Sequence, residues 1–92
     1  MGLENALDQL GDKPVYFTLD LDVLDPSVFP GTGTPEPGGV SFEELRKAVT
    51  LVCQRANVVA CDVNELSPPC DQSGVSTMVA CKFVREMLLA LQ

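Results

Sequence analysis

The sequence predicts an α/β architecture in which two parallel strands carry flanking helices. Three observations support that expectation. Two short β-prone runs, Val15-Tyr16-Phe17-Thr18-Leu19 and Val58-Val59-Ala60-Cys61, each lead straight into an aspartate. Stretches of helical periodicity lie before, between and after them. Strands alternating with helices imply parallel β/α units joined by a right-handed crossover. The 92 residues fit a single segment, 1–92, with no room for a second domain.

Leu3, Ala6, Leu7 and Leu10 recur at helical spacing, and Gly11 and Pro14 end that helix. The first β-prone run then reads as a buried strand ending at Asp20, with Tyr16 in the core. From Asp25 to Val40 the chain is broken by Pro26, Pro30, Pro35 and Pro37 and by Gly31, Gly33, Gly38 and Gly39. No regular element survives such punctuation. The restricted backbone points to an ordered functional loop, and Asp25 is expected to cap a turn before Pro26.

Ser41 with Glu44 three residues on is a capping box. It opens a helix whose apolar stripe is Phe42, Leu45, Val49, Val52 and Cys53. The second buried strand ends at Asp62, Pro68 and Pro69 mark a loop, and Ser73 is expected to cap a last helix running to about Leu91. That helix is apolar around most of its circumference, with Lys82, Arg85 and Glu86 marking its wet face. Two strands and so apolar a helix need more cover than this chain supplies. The expectation is a homo-oligomer associating through Met78, Phe83, Met87 and Leu91, or a segment whose N-terminal portion lies elsewhere.

Composition narrows the function. Hydrophobic residues make up 46% and charged residues 21%, a globular balance. Thirteen acids against six bases give a net charge of −7, which argues against nucleic acid as a partner. With no histidine, this chain alone has no Ser-His-Asp mechanism and no His-ligated metal. No apolar run reaches the roughly 18 residues of a membrane span, and no signal peptide is evident. A cytoplasmic protein with four reduced cysteines, packed as small hydrophobes, is expected.

The strand ends are acidic: Asp20-Leu21-Asp22 after the first, Asp62-Val63-Asn64-Glu65 after the second. Ligands bind at the carboxyl ends of strands in open parallel sheets, so Asp20, Asp22, Asp62 and Glu65 should gather at one edge. No Lys or Arg lies between Lys13 and Arg46 or between Arg55 and Lys82. Uncompensated carboxylates repel unless a cation joins them, and hard oxygens favour Mg²⁺, Ca²⁺ or Mn²⁺. In an ideal strand Asp20 and Asp22 would face the same side. Spacing alone leaves a solvated acidic turn equally open. An EF-hand loop and a phosphate loop fit worse, since Pro26 follows Asp25 and no lysine follows Gly31-Thr32-Gly33-Thr34. A haloacid-dehalogenase-type phosphatase would use Asp20 as nucleophile and Asp22 as acid, but leaves the Pro/Gly loop unexplained.

The stretch Thr18-Leu19-Asp20-Leu21-Asp22-Val23-Leu24-Asp25-Pro26, continued through Pro30-Gly31-Thr32-Gly33-Thr34-Pro35-Glu36-Pro37-Gly38-Gly39, closely resembles the signature of the ureohydrolases. Asp62-Val63-Asn64-Glu65-Leu66-Ser67-Pro68 resembles their later acidic segment. The Pro-Gly-Thr-Gly-Thr-Pro-Glu form is more similar to agmatinases than to arginases. The resemblance implies the C-terminal part of an arginase-like, parallel-sheet α/β/α sandwich. It implies a dinuclear Mn²⁺ centre that generates a hydroxide, which attacks a guanidino substrate and releases urea. Asp20 would bridge the two metals, Asp22 would bind one, Glu65 would hold the guanidinium, and Thr34 would lie beside the substrate. The family's histidine ligands and catalytic histidine precede this segment and are not in it. The isolated chain is therefore expected to be inactive. A non-catalytic module that binds a divalent cation or a partner, derived from the same fold, is the alternative.

Overall fold

The structure, a computed structural model, describes residues 2–92. Helix α1 spans Gly2–Leu10 and strand β1 Pro14–Asp20, followed by a 3₁₀ turn at Leu21–Val23. Helix α2 spans Phe42–Arg55 and strand β2 Asn57–Asn64. A second 3₁₀ turn at Pro68–Cys70 precedes helix α3, Val75–Ala90. Gly11 ends α1 in the left-handed region at φ 54°, its N–H donating to the Leu7 carbonyl at 3.3 Å. The Ser41 capping box is formed in both directions: the Glu44 N–H donates to Ser41 Oγ at 3.1 Å, and the Ser41 N–H to Glu44 Oε1 at 3.0 Å. Such a cap contributes about 1 kcal/mol.

The start of α3 differs from the expectation. Gly74, at φ 82°, occupies the cap position. Ser73 Oγ accepts only the Val75 N–H, at 3.2 Å. The Asp71 carboxylate instead takes the Ser76 N–H at 2.9 Å, along with the Ser73 N–H and hydroxyl. A carboxylate two residues further back has the reach and the lone pairs to serve the whole turn.

β1 and β2 pair in parallel from Pro14 opposite Asn57 to Asp20 opposite Asn64, with one irregularity between Val15 and Tyr16. Leu19 and partly buried Phe17 and Val63 turn toward α2 and α3. There they meet Val49, Cys53, Ala80, Phe83 and Met87, and the Phe42 and Phe83 rings lie 4.9 Å apart. The opposite sheet face is open among the described residues. The strands are thus half-covered rather than buried, and Tyr16, expected in the core, is 63% exposed.

The last helix corrects a second expectation. Of the four residues expected on an associating face, Met78 and Leu91 are exposed, but Phe83 and Met87 lie in the core and offer nothing to a partner. The exposed apolar residues of α3 are Val75, Met78, Val84, Leu88 and Leu89. All four cysteines are free thiols, but only Cys53 packs as a small hydrophobe, where burial raises its thiol pKa; the other three are exposed. No helix among the described residues is long and apolar enough to cross a membrane.

The long loop 25–40 is ordered by anchors at both ends. As expected, Asp25 caps its own turn, accepting the Ser27 N–H and hydroxyl. It also accepts the Gly38 N–H at 2.9 Å, closing the loop's base. The Asp25 N–H donates to the Val40 carbonyl and the Val40 N–H to that of Val23. Further along, the Gly31 N–H donates to buried Ser76 Oγ at 2.8 Å, and the Gly31 carbonyl accepts the Ser67 N–H. Phe29, 1% exposed, seats the loop in the core.

Two outcomes follow from these anchors. A Cβ on Gly31 would meet Ser76 Cβ at 2.6 Å, whereas one on Gly33 would meet nothing within 4 Å. Gly31→Ala should therefore lower unfolding stability by about 1–3 kcal/mol, with Gly33→Ala much closer to wild type in urea denaturation. The hydrogen bonds from Ser27, then Gly38, pull the Asp25 pKa down from 3.8 to about 2. A carboxylate depressed in the folded state stabilises above its unfolded pKa and loses that contribution as pH falls through the folded one. The wild-type chain should lose stability between about pH 4 and pH 2 more steeply than Asp25→Asn, followed by acid titration of the circular dichroism signal.

Candidate metal centre

The acidic residues at the strand ends are presented outward because their neighbours are held inward. Leu21 and Leu24 are fully buried on either side of Asp22. β1 stops at Asp20, so the strand pleat does not align Asp20 with Asp22. The 3₁₀ turn does: Asp20 Oδ1 accepts the Asp22 N–H at 3.2 Å. On the other strand, the backbone of Glu65 adopts φ 79°, the single non-glycine residue with positive φ among the described residues. For a side chain of this size that conformation costs of the order of 1–3 kcal/mol. It follows immediately on the rung that pairs Asp20 with Asn64.

The result is a cluster in which one oxygen each of Asp20, Asp22 and Glu65 lies within 4.8 Å of the others. Leaving water raises the Asp20 pKa above 3.8, and the neighbouring Asp22 carboxyl raises it further. The ion pairs Arg46–Glu43, Arg55–Asp8 and Lys82–Glu86 are all made elsewhere. Three converging hard oxygen donors, without a basic partner among the described residues, suit a divalent cation, and three side chains leave positions open on it.

Thr34 reaches this cluster, its hydroxyl donating to Asp22 Oδ2 at 2.8 Å. Asp62 does not join it. Paired opposite Thr18, it faces the open side of the sheet and accepts the hydroxyls of Thr18, at 2.6 Å, and Tyr16. The Asn64 amide donates to it as well. These bonds, the one from Thr18 foremost, lower the Asp62 pKa. Tyr16, read as a core residue, is thus a hydrogen-bond donor on an exposed face. Sequence reasoning also missed Asp71 and Ser76, which fix the loop through Gly31. Their signal was the Asp71-x-Ser73-x-x-Ser76 spacing, an acceptor followed by two hydroxyls over a helix start.

The chain is similar to known proteins along almost its whole length. The model of the arginase family matches residues 1–90. An agmatinase of Halalkalibacterium halodurans is 46% identical over 88 residues, 95% of this chain and 30% of that protein. A mitochondrial guanidino acid hydrolase of Homo sapiens is 45% identical over 83 residues, 90% of this chain and 23% of that protein. The solved proclavaminate amidino hydrolase of Streptomyces clavuligerus superposes with a TM-score of 0.89 at 34% identity, over 98% of this chain and 30% of the other. The chain thus spans less than a third of the length of these relatives. Their likeness runs through both strands, the loop between them and the acidic cluster, and on that match the chain belongs to the arginase family.

Proposed function

We propose that this segment supplies one side of the active site of a manganese-dependent ureohydrolase of agmatinase type. The observation that carries the reading is the convergence of Asp20, Asp22 and Glu65 within 4.8 Å. Asp20 would be shared between two Mn²⁺ ions and Asp22 would hold one of them, as the resemblance of their motif implies. Bound there, the ions would acidify a coordinated water and neutralise the carboxylates. Glu65 is left to accept the N–H groups of a guanidinium, a planar cation that pairs two-pronged with a carboxylate. Its carboxylate lies within 4.8 Å of those of the aspartates, so a held guanidinium would sit beside the metal ligands.

The chain has no histidine. The remaining metal ligands, and the acid that protonates the departing amine, would come from residues outside this segment. By itself the chain should bind Mn²⁺ weakly and release no urea from agmatine or arginine.

The direct test is a chimera in which the segment replaces its matched counterpart in the Halalkalibacterium agmatinase. The chimera should release urea from agmatine. Asp20→Ala combined with Asp22→Ala should remove manganese and activity together. A chimera that keeps both, with metal content measured beside kinetics, would refute the ligand assignment. Glu65→Gln should keep manganese but lose a charged hydrogen bond of about 1.5–3 kcal/mol, roughly 10- to 150-fold in kcat/KM. Loss of manganese in that variant would reassign Glu65 to the metal.

A further inference from the structure

We propose that Thr34 is a positioning residue for Asp22, through which the Pro/Gly loop and metal binding are coupled. The inference rests on reading Asp20 and Asp22 as metal ligands. The resemblance implies a place for Thr34 beside the substrate, yet its single hydroxyl proton is directed to Asp22 Oδ2 at 2.8 Å. That bond fixes the carboxylate's rotation without blocking it. Oδ1 takes no part in it, and Oδ2 keeps a second lone pair. A ligand held in this way does not have to be ordered when the metal arrives.

The hydroxyl is itself well placed to do this. Gly31, three residues earlier, is bound on both sides by Ser76 and Ser67. Gly38, four residues later, is bound by Asp25. Between these anchors residues 33–37 are exposed. Among the described residues, the Thr34–Asp22 bond is the one hydrogen bond that ties this stretch to the rest of the fold. Coupling of this kind is reciprocal: if the loop orders the ligand, metal on the ligand must order the loop.

Both halves can be read without turnover. Mn²⁺ alone is titrated into the 92-residue chain by calorimetry, for wild type, Thr34→Val, Thr34→Ser and Asp22→Asn. Thr34→Val should bind about tenfold more weakly, the usual cost of losing a group that orients a metal ligand. Thr34→Ser, which keeps the hydroxyl, should bind close to wild type. Hydrogen exchange followed by mass spectrometry should show Mn²⁺ protecting the amides of Gly33, Thr34 and Glu36 in wild type and Thr34→Ser but not in Thr34→Val. Circular dichroism checks each fold, and Thr34→Ala stands in for the valine variant if that one unfolds. Unchanged affinity or persisting protection in the hydroxyl-free variant overturns the inference while Asp22-dependent binding preserves the ligand reading. A wild-type chain that binds no Mn²⁺, or binds it equally after Asp22→Asn, overturns both.

Discussion

Parallel pairing of Asp20 with Asn64 is the rung on which the acidic site depends. The register is set from the other side of the sheet, where Phe17, Leu19 and Val63 pack against α2 and α3. A slip of one residue would turn the aspartate into that apolar layer and Leu19 out of it. Burying an unpaired carboxylate is far costlier than exposing one leucine, so the slipped pairing is not a competitor. Once the rung is fixed, Asp22 and Glu65 have little freedom. One lies in the tight turn that follows β1, the other at the residue after β2.

The carboxylates separate into two kinds by what surrounds them. Asp25, Asp62 and Asp71 each collect several donors, and in each the hydrogen bonds hold the acid below its ordinary pKa. These are fasteners, joining the loop, the sheet face and the start of α3 to the rest of the chain. Asp20 moves the other way, raised by lost hydration and by its acidic neighbour. A fold gains from the first arrangement and loses from the second unless something cationic arrives. The opposite directions of shift set Asp20 apart from the three scaffold aspartates without reference to any relative.

Much of the scaffold was legible in the sequence because it depends on local rules. The Ser41–Glu44 box, the Gly11 stop and the two β-prone runs act over five residues or fewer, and each formed where expected, save that β2 runs past Asp62 to Asn64. The acidic strand ends were legible because parallel topology dictates where strand termini go. Other features depend on contacts distant in sequence. Gly31 meets Ser76 across 45 residues, and Tyr16 meets Asp62 across 46. Nothing in the run around Tyr16 says that helices cover one face of its sheet and not the other. The Asp20–Asp22 proximity was anticipated for the wrong reason, since a 3₁₀ turn brings the pair together rather than the strand pleat.

The left-handed backbone of Glu65 has a consequence for how such a segment drifts under mutation. Glycine and asparagine adopt φ near 79° more readily than glutamate, so either replacement would relieve local strain. Either would also withdraw a carboxylate from beside Asp20 and Asp22. Selection or engineering for thermal robustness alone would therefore favour erasing this residue, and its retention requires a pressure other than folding.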